Sequence, residues 1–423
     1  MTLEAVMKKE AALLVPTYDR YQVLLRKGKG VYVYDASGKK YLDFLSGIGV
    51  NALGYGHPAI RKAMARQGSL LVHSSNLFFH EYQGALAEKL TRLSGLDRAF
   101  FCNSGTEAWE CALKLARASA RSRRTTNGNG NGHKPAWRVL AMENSFHGRT
   151  FGALSTTGQA KYRDPFAPLV PGVEFVRYND VDDLKKKFDA SVCAIGLEVV
   201  QGEGGIQFMD KQFLQAARSL ATKYNALLVI DEIQSGLGRT GKMFAYQHFG
   251  ITPDVVTIAK PLAAGLPLGA VLTRESVAHS FHPGMHGTTF GGGPLACAVA
   301  IAFLETLEKE KLVEHVAKMG DYVLEQLEAL QEKHGAIKDI RVMGLMVGVE
   351  LDSADLAKAA VKKMMERGVI INRTHDTVLR FLPPYVIGKA HVDEVIKKLD
   401  SVLEEQQKTH TRAQARAPRS VAN

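Results

Sequence analysis

The sequence predicts an α/β protein: a mostly parallel central sheet followed by a smaller α+β unit. Three observations predict it. Unbroken apolar runs of strand length recur between residues 138 and 273, as in strands buried on both faces. Amphipathic helical segments accompany them. From about residue 310 the pattern changes to helix, strands, then helix, strand and helix. Alternating strands and helices imply a parallel sheet, whose ligands gather at the carboxyl ends of its strands.

Residues 1–60 read as the first segment of the smaller domain. A short helix precedes VYVYD (31–35) and KYLDF (40–44), which flank a turn where Gly38 supplies the positive φ. GIGVNALGYGHP (47–58) holds too much glycine for a regular element. Residues 61–305 form the large domain. There HEYQGALAEKLTRLS places Leu86, Leu90 and Leu93 on one helical stripe, and TEAWECALKLARASA (106–120) makes a second helix. RVLAM (138–142), VCAIGLEVV (192–200), ALLVID (226–231), DVVTIA (254–259) and GAVLT (269–273) are the expected parallel strands. Residues 306–405 complete the smaller domain. The Gly/Asn-rich stretch 124–136 is expected to be a mobile insertion, and 406–423 a disordered basic tail.

The chain has 423 residues, 46% hydrophobic and 23% charged, which excludes bulk disorder. No run approaches the ~18 apolar residues of a membrane helix, and the start lacks the order of a signal peptide. The expectation is a cytoplasmic protein with no membrane partner. The four cysteines, at 102, 111, 193 and 297, form no CxxC pair and lie in apolar surroundings, which argues for core positions. His57, His147 and His286 sit in glycine turns without metal-ligand spacing, so no metal is expected. Of the net +11, six Lys/Arg lie between Arg117 and Arg138 and four after Gln406, both stretches lacking acids. The body is therefore close to neutral, which argues against a nucleic-acid partner.

Chemistry concentrates in LLVIDEIQSGLGRTG (227–241). Gly236, Gly238 and Gly241 have GxGxxG spacing, but Asp231 and Glu232 stand between strand and glycines and would repel a pyrophosphate. A fixed carboxylate at a strand end suits pyridoxal phosphate, whose pyridinium nitrogen must stay protonated. That cofactor also needs a lysine for its Schiff base, and the next apolar run ends in Lys260. Asp231 alone would read as a cap and Lys260 alone as a snorkelling surface lysine. Together, at the ends of successive strands, they point to one crevice. Ser104-Gly105-Thr106 opens a helix whose amides suit a phosphate, or else marks a plain N-cap. The loop GMHGTTFGGG (284–293) offers the adjacent hydroxyls of Thr288 and Thr289.

NSGTEA, SFHGRT, EVVQGEGG, DEIQSGLGRTG, the IAK lysine and HGTTFGGGPLACAVA together resemble the class III (ornithine-type) aminotransferases, over about residues 30–400. Within that class, the stretch 74–90, FFCNSGTEA and LRFLPPYVI (379–387) are most similar to the acetylornithine branch. The resemblance implies the aspartate-aminotransferase-like fold (fold type I) and pyridoxal 5'-phosphate as cofactor. It implies that Lys260 carries the cofactor and moves the proton, that Asp231 pairs with the pyridine nitrogen, and that Gln234 contacts the phenolic oxygen. Phe146 would stack on the ring with Ile233 beneath, Ser104, Gly105 and Thr106 would hold the phosphate, and Glu232 would also contact the cofactor. Thr289 would reach the phosphate of the neighbouring subunit, so the active unit is a homodimer with shared sites. Arg149 and Arg380 would bind substrate carboxylates, Thr288 would contact substrate, Glu203 would pair with Arg380, and Glu198 would support the site. A packing role for Phe146 and surface ion pairs for the arginines are the alternatives.

The implied reaction moves an ω-amino group from N-acetylornithine, or a close acylated diamine, to 2-oxoglutarate. Ornithine, 4-aminobutyrate, succinylornithine and acylated diaminopimelate or lysine intermediates are alternative donors. A catalytically dead cofactor-binding regulator and a basic nucleic-acid binder are the readings outside the class. The chain departs from the family at Val199, where proline is usual, at PLAAG (261–265) after the lysine, and at Gly293. None of these removes a catalytic group.

Overall fold

The computed structural model describes residues 2–126 and 136–416. Its central sheet has seven strands in the order Arg98–Cys102, Gly269–Thr273, Val255–Ile258, Leu227–Asp231, Val192–Leu197, Arg138–Met142 and Val173–Val176. The last five of these are mutually parallel. Alternate residues of one strand enter two cores: Leu227 and Val229 face the cluster containing Trp109 and Cys111, whereas Leu228 and Ile230 face the cluster of Leu140 and Phe213. Burial on both faces is why these runs read as continuously apolar.

One strand differs from expectation. Gly269–Thr273 runs antiparallel to both neighbours. The link from Ile258 is residues 259–268 and holds no helix, too little for the crossover that a parallel return requires, so the chain turns straight back. The reversal starts this strand at the edge where the parallel strands end. The expected strand 192–200 also stops at Leu197, and Val200–Gln201 pairs instead with Gln207–Phe208.

The ends of the chain meet in a second sheet. Leu25–Lys29, Tyr32–Asp35 and Lys40–Asp43 form an antiparallel meander, and Val369–Ile370 adds in parallel to the last of them. At its turn Gly38 has φ +88°, and Asp35 accepts the backbone N–H groups of Ser37 and Lys39, each at 2.9 Å. A third, antiparallel sheet places Val378–Phe381 between Met346–Leu351 and Asn372–Thr374. The glycine-spaced run 236–241 ties this unit to the large sheet. Arg239, fully buried, donates to the carbonyls of Leu345 (3.1 Å) and Pro383 (2.5 Å) and lies 4.5 Å from the Tyr385 ring. Gly241, at φ +83°, has room for no side chain beside Ala317.

Two expectations need adjustment at the margins. Residues 124–126 continue the helix Gly105–Thr126, and 127–135 of the expected mobile insertion lie outside the described residues. The expected disordered tail is helical through Arg416, within Lys389–Arg416, because EEQQKTHTRAQAR holds good helix formers and neither glycine nor proline; residues 417–423 lie outside the described residues. Among the described residues, no helix is long and apolar enough to cross a membrane.

Candidate active site

The parallel strands and their reversed neighbour converge on a cavity of about 420 Å³ at the carboxyl edge of the sheet. Asp231 ends its strand there, Lys260 follows the next strand, and Gly265–Leu268 arrive because the following strand is antiparallel. Ser104, Gly105, Thr106, Phe146, Arg149, Glu203, Ile233 and Gln234 complete the expected lining.

Asp231 is buried, and its carboxylate is fixed on both oxygens. Oδ1 accepts from the Ile233 backbone N–H at 3.0 Å, and Oδ2 lies 2.7 Å from Nδ1 of His147. The sequence reading missed this histidine, taking it for part of a glycine turn; its signal was its place beside Phe146 in SFHGRT. Glu198 accepts from the backbone N–H groups of Phe146 (3.0 Å) and Gly202 (3.2 Å). Burial, then the nearby charge of Asp231, pushes its carboxyl up to about 8. Burial also disfavours the Lys260 ammonium and lowers its pKa, against the pull of the Glu203 carboxylate.

The helix Gly105–Thr126 begins at the cavity wall. Ser104 Oγ accepts from the Glu107 N–H at 3.3 Å, so the N-cap reading of Ser104 holds as well. At Gly105 a Cβ would stand 2.8 Å from Ile233 Cδ1 and 2.9 Å from its Cγ2, so only glycine lets the helix start this close to the strand end. Thr106 lines the cavity while its hydroxyl shares a hydrogen bond with that of Thr150 at 2.9 Å.

On the substrate side, Arg380 is buried and donates from Nη1 to Glu203 Oε1 at 2.5 Å, to the Gly202 carbonyl at 3.2 Å and to Gln234 Oε1 at 3.4 Å. Burial works against the charged Glu203 carboxyl, yet Arg380 holds it below its ordinary value, so the pair is ionic. The guanidinium of Arg149 lies over the Tyr162 ring at 4.1 Å and the Phe146 ring at 5.5 Å. Tyr162 carried no signal in the sequence; it meets Arg149 only in space.

Four expected residues do not line this cavity: Arg380, which meets it through Glu203 and Gln234, then Glu232, Thr288 and Thr289, the last of which is expected at a neighbouring subunit's site. Glu232 points away from the cavity, to Ser235 Oγ (2.7 Å) and the Tyr246 N–H (3.0 Å), because successive residues leaving a strand alternate sides. Thr288 does not line the cavity; its Oγ1 accepts from Asn103 Nδ2 at 3.1 Å and the Gly291 N–H at 3.2 Å. Thr289 is exposed and outside the cavity of its own chain. Cys102, Cys111, Cys193 and Cys297 are all buried.

A buried carboxylate, a lysine with a destabilised ammonium, an aromatic wall and a glycine-opened helix N-terminus fit pyridoxal phosphate. Fold and site thus define a pyridoxal-phosphate enzyme with its lysine at a strand end. The family profile Aminotransferase class-III matches residues 15–403, and the chain belongs to that family. It is 47% identical to the acetylornithine aminotransferase of Methanocaldococcus jannaschii, over 92% of this chain and 95% of that protein. It is 45% identical to that of Aquifex aeolicus, over 92% and 99%. Among solved structures, the ornithine aminotransferase of Toxoplasma gondii superposes with TM-score 0.91 at 33% identity, covering 97% of this chain and 96% of that one. The acetylornithine aminotransferase of Elizabethkingia anophelis superposes with TM-score 0.83 at 32% identity, covering 96% and 100%.

Proposed function

We propose that this aminotransferase moves the ω-amino group of N-acetylornithine, or a close acylated diamine, to 2-oxoglutarate, giving a semialdehyde and glutamate. The observation that carries this is the Glu203–Arg380 pair. A site that takes an ω-amine in one half-reaction and a dicarboxylate in the other needs an arginine that can be switched off. With Glu203 bound, Arg380 is neutralised and the cationic end of the donor can enter; with the pair parted, Arg380 grips the carboxylate beside the reacting carbon. Arg149, held over Tyr162, takes the carboxylate at the far end of either substrate.

The bound coenzyme supplies an electron-withdrawing ring that makes the proton on the amine-bearing carbon removable. Lys260 would anchor it and, once released, would take that proton on Nζ; burial, which lowers its pKa, favours the neutral amine that a base requires. Asp231, oriented by His147, holds the proton at the ring nitrogen. Gly105 and Thr106 present helix N-terminal amides to the phosphate.

The relatives at 40–47% identity carry the acetylornithine name, which favours that donor over ornithine, the substrate named for the solved structure of 33% identity. A panel of ω-amine donors assayed with 2-oxoglutarate tests this: N-acetylornithine should show the highest kcat/KM, and a tenfold preference for ornithine overturns it. Hydride trapping followed by mass spectrometry should place the coenzyme on Lys260, and Lys260→Ala should abolish the reaction.

The active unit is a homodimer. Leu70, Leu71, Val72, Leu77, Phe78, Phe79 and Phe290 are exposed, and Asn76 ties their segment to the carbonyls of Thr288 (3.2 Å) and Gly291 (3.1 Å). This apolar face, with Thr289 beside it, suits a second copy whose cavity Thr289 completes. Sedimentation should give a dimer, and Leu77→Lys with Phe79→Lys should give monomers that bind the coenzyme weakly.

A further inference from the structure

Trp109 is fully buried near the start of the helix Gly105–Thr126, and its indole lies flat on the His147 ring, with centroids 3.8 Å apart and planes 4° from parallel. That imidazole is the group bonded through Nδ1 to Asp231. Its other ring nitrogen, Nε2, is buried with no hydrogen-bond partner among the described residues. The His147 backbone is tethered, its N–H donating to Thr157 Oγ1 at 3.0 Å, but a tethered backbone leaves the ring torsion soft. The indole face is therefore what sets the plane in which Nδ1 meets the carboxylate.

The indole is itself pinned. Its Nε1–H donates to Thr156 Oγ1 at 2.7 Å. On the strand beneath it, a Cβ at Gly196 would stand 2.7 Å from Cη2 of the indole, so this strand position is kept bare for the ring. Neighbouring threonines thus hold the stacked pair at two points, Thr156 the indole ring and Thr157 the backbone of His147.

We propose that Trp109 is a positioning residue for coenzyme binding, acting through His147 on Asp231. The inference rests on the reading that Asp231 faces the ring nitrogen of the coenzyme, and it assigns the stacked indole the task of aiming that carboxylate. A tryptophan that merely fills the core would affect melting and leave the carboxylate's contribution to coenzyme affinity intact.

The test is the equilibrium affinity of the full-length apoprotein for pyridoxal phosphate, followed by coenzyme absorbance well below the melting temperature. Trp109→Leu, Trp109→Phe and Thr156→Val are measured, with Leu and Val also combined with Asp231→Asn. Trp109→Leu should weaken binding about tenfold and Trp109→Phe, which keeps a stacking face, less than about threefold. In the Asp231→Asn background Trp109→Leu should have almost no further effect, because the group it aims has lost its charge. Should Trp109→Leu not fold, Thr156→Val, which frees the indole, must show the same dependence on Asp231 at about threefold. An equal loss with and without Asp231→Asn, or none at all, overturns the proposal. Unchanged affinity in Asp231→Asn alone overturns the Asp231 reading beneath it.

Discussion

Replacing Glu203 by glutamine separates the two half-reactions. The side chain keeps its shape and can still accept from Arg380 Nη1, which now lies 2.5 Å from Glu203 Oε1, but the charge is lost. Two unit charges about 4 Å apart attract by about 4 kcal/mol at an effective dielectric near 20. Much of that is returned when an incoming carboxylate replaces Glu203 on Arg380. The part the amide fails to supply is the ionic share of a charge-assisted hydrogen bond, about 1–2 kcal/mol. With less to break, 2-oxoglutarate should react with the amine form of the enzyme at a kcat/KM raised about 5- to 30-fold. The amino donor meets an Arg380 without its counter-charge, and its half-reaction should slow by a similar factor. Single-turnover absorbance changes of the coenzyme, recorded separately with donor and acceptor, measure both. Two rates that stay within twofold of the parent, or that move together in one direction, would refute the switch.

Three further outcomes follow from the geometry. Burial pushes the Glu232 carboxyl from its ordinary 4.5 up to about 7, so the folded chain keeps a proton that the unfolded chain releases; stability is full below about pH 4.5 and is lost as pH rises through 7. Glu232→Gln should therefore gain on the parent in denaturant or thermal unfolding between about pH 5 and 8.5, by up to about 3 kcal/mol. Tyr162→Leu, which removes the ring under Arg149, should raise the KM of both substrates about three- to tenfold with kcat nearly unchanged, and Tyr162→Phe should restore it. Gly105→Ala forces Ile233 aside and should weaken pyridoxal-phosphate binding about ten- to a hundredfold, read by titration of the apoprotein.

The fold was legible where burial left a local trace. Strands covered on both faces wrote their positions as apolar runs, and Leu86 and Leu90 wrote a helical stripe that is indeed buried. Strand direction left no such trace. GAVLT reads the same parallel or antiparallel, and the length and helix content of the link before it decide the matter. The sheet joining Lys40–Asp43 to Val369–Ile370 was equally hidden, since register between distant segments has no local signature. The tail erred in the opposite sense: helix 389–416 was under-read because its last turns are polar, although polarity lowers burial and leaves helix propensity intact.

The site divides in the same way, and the division is physical. Lys260 and Asp231 were readable because a parallel sheet delivers its strand ends to one place. Asp231, Glu232 and Ile233 show how much further the same logic reaches. An extended backbone sends alternate side chains to opposite sides, so once Asp231 is placed in the cavity, Ile233 must follow and Glu232 must leave. It goes to Ser235 and Tyr246, and burial makes it an acid that holds its proton to about pH 7. Had Glu232 faced the cavity, a further carboxylate would have stood there beside Asp231 and Glu198. His147 and Tyr162 lay beyond such logic. His147 hydrogen-bonds Asp231, far away in sequence, and Tyr162 lies under the guanidinium of Arg149; such contacts exist only after folding.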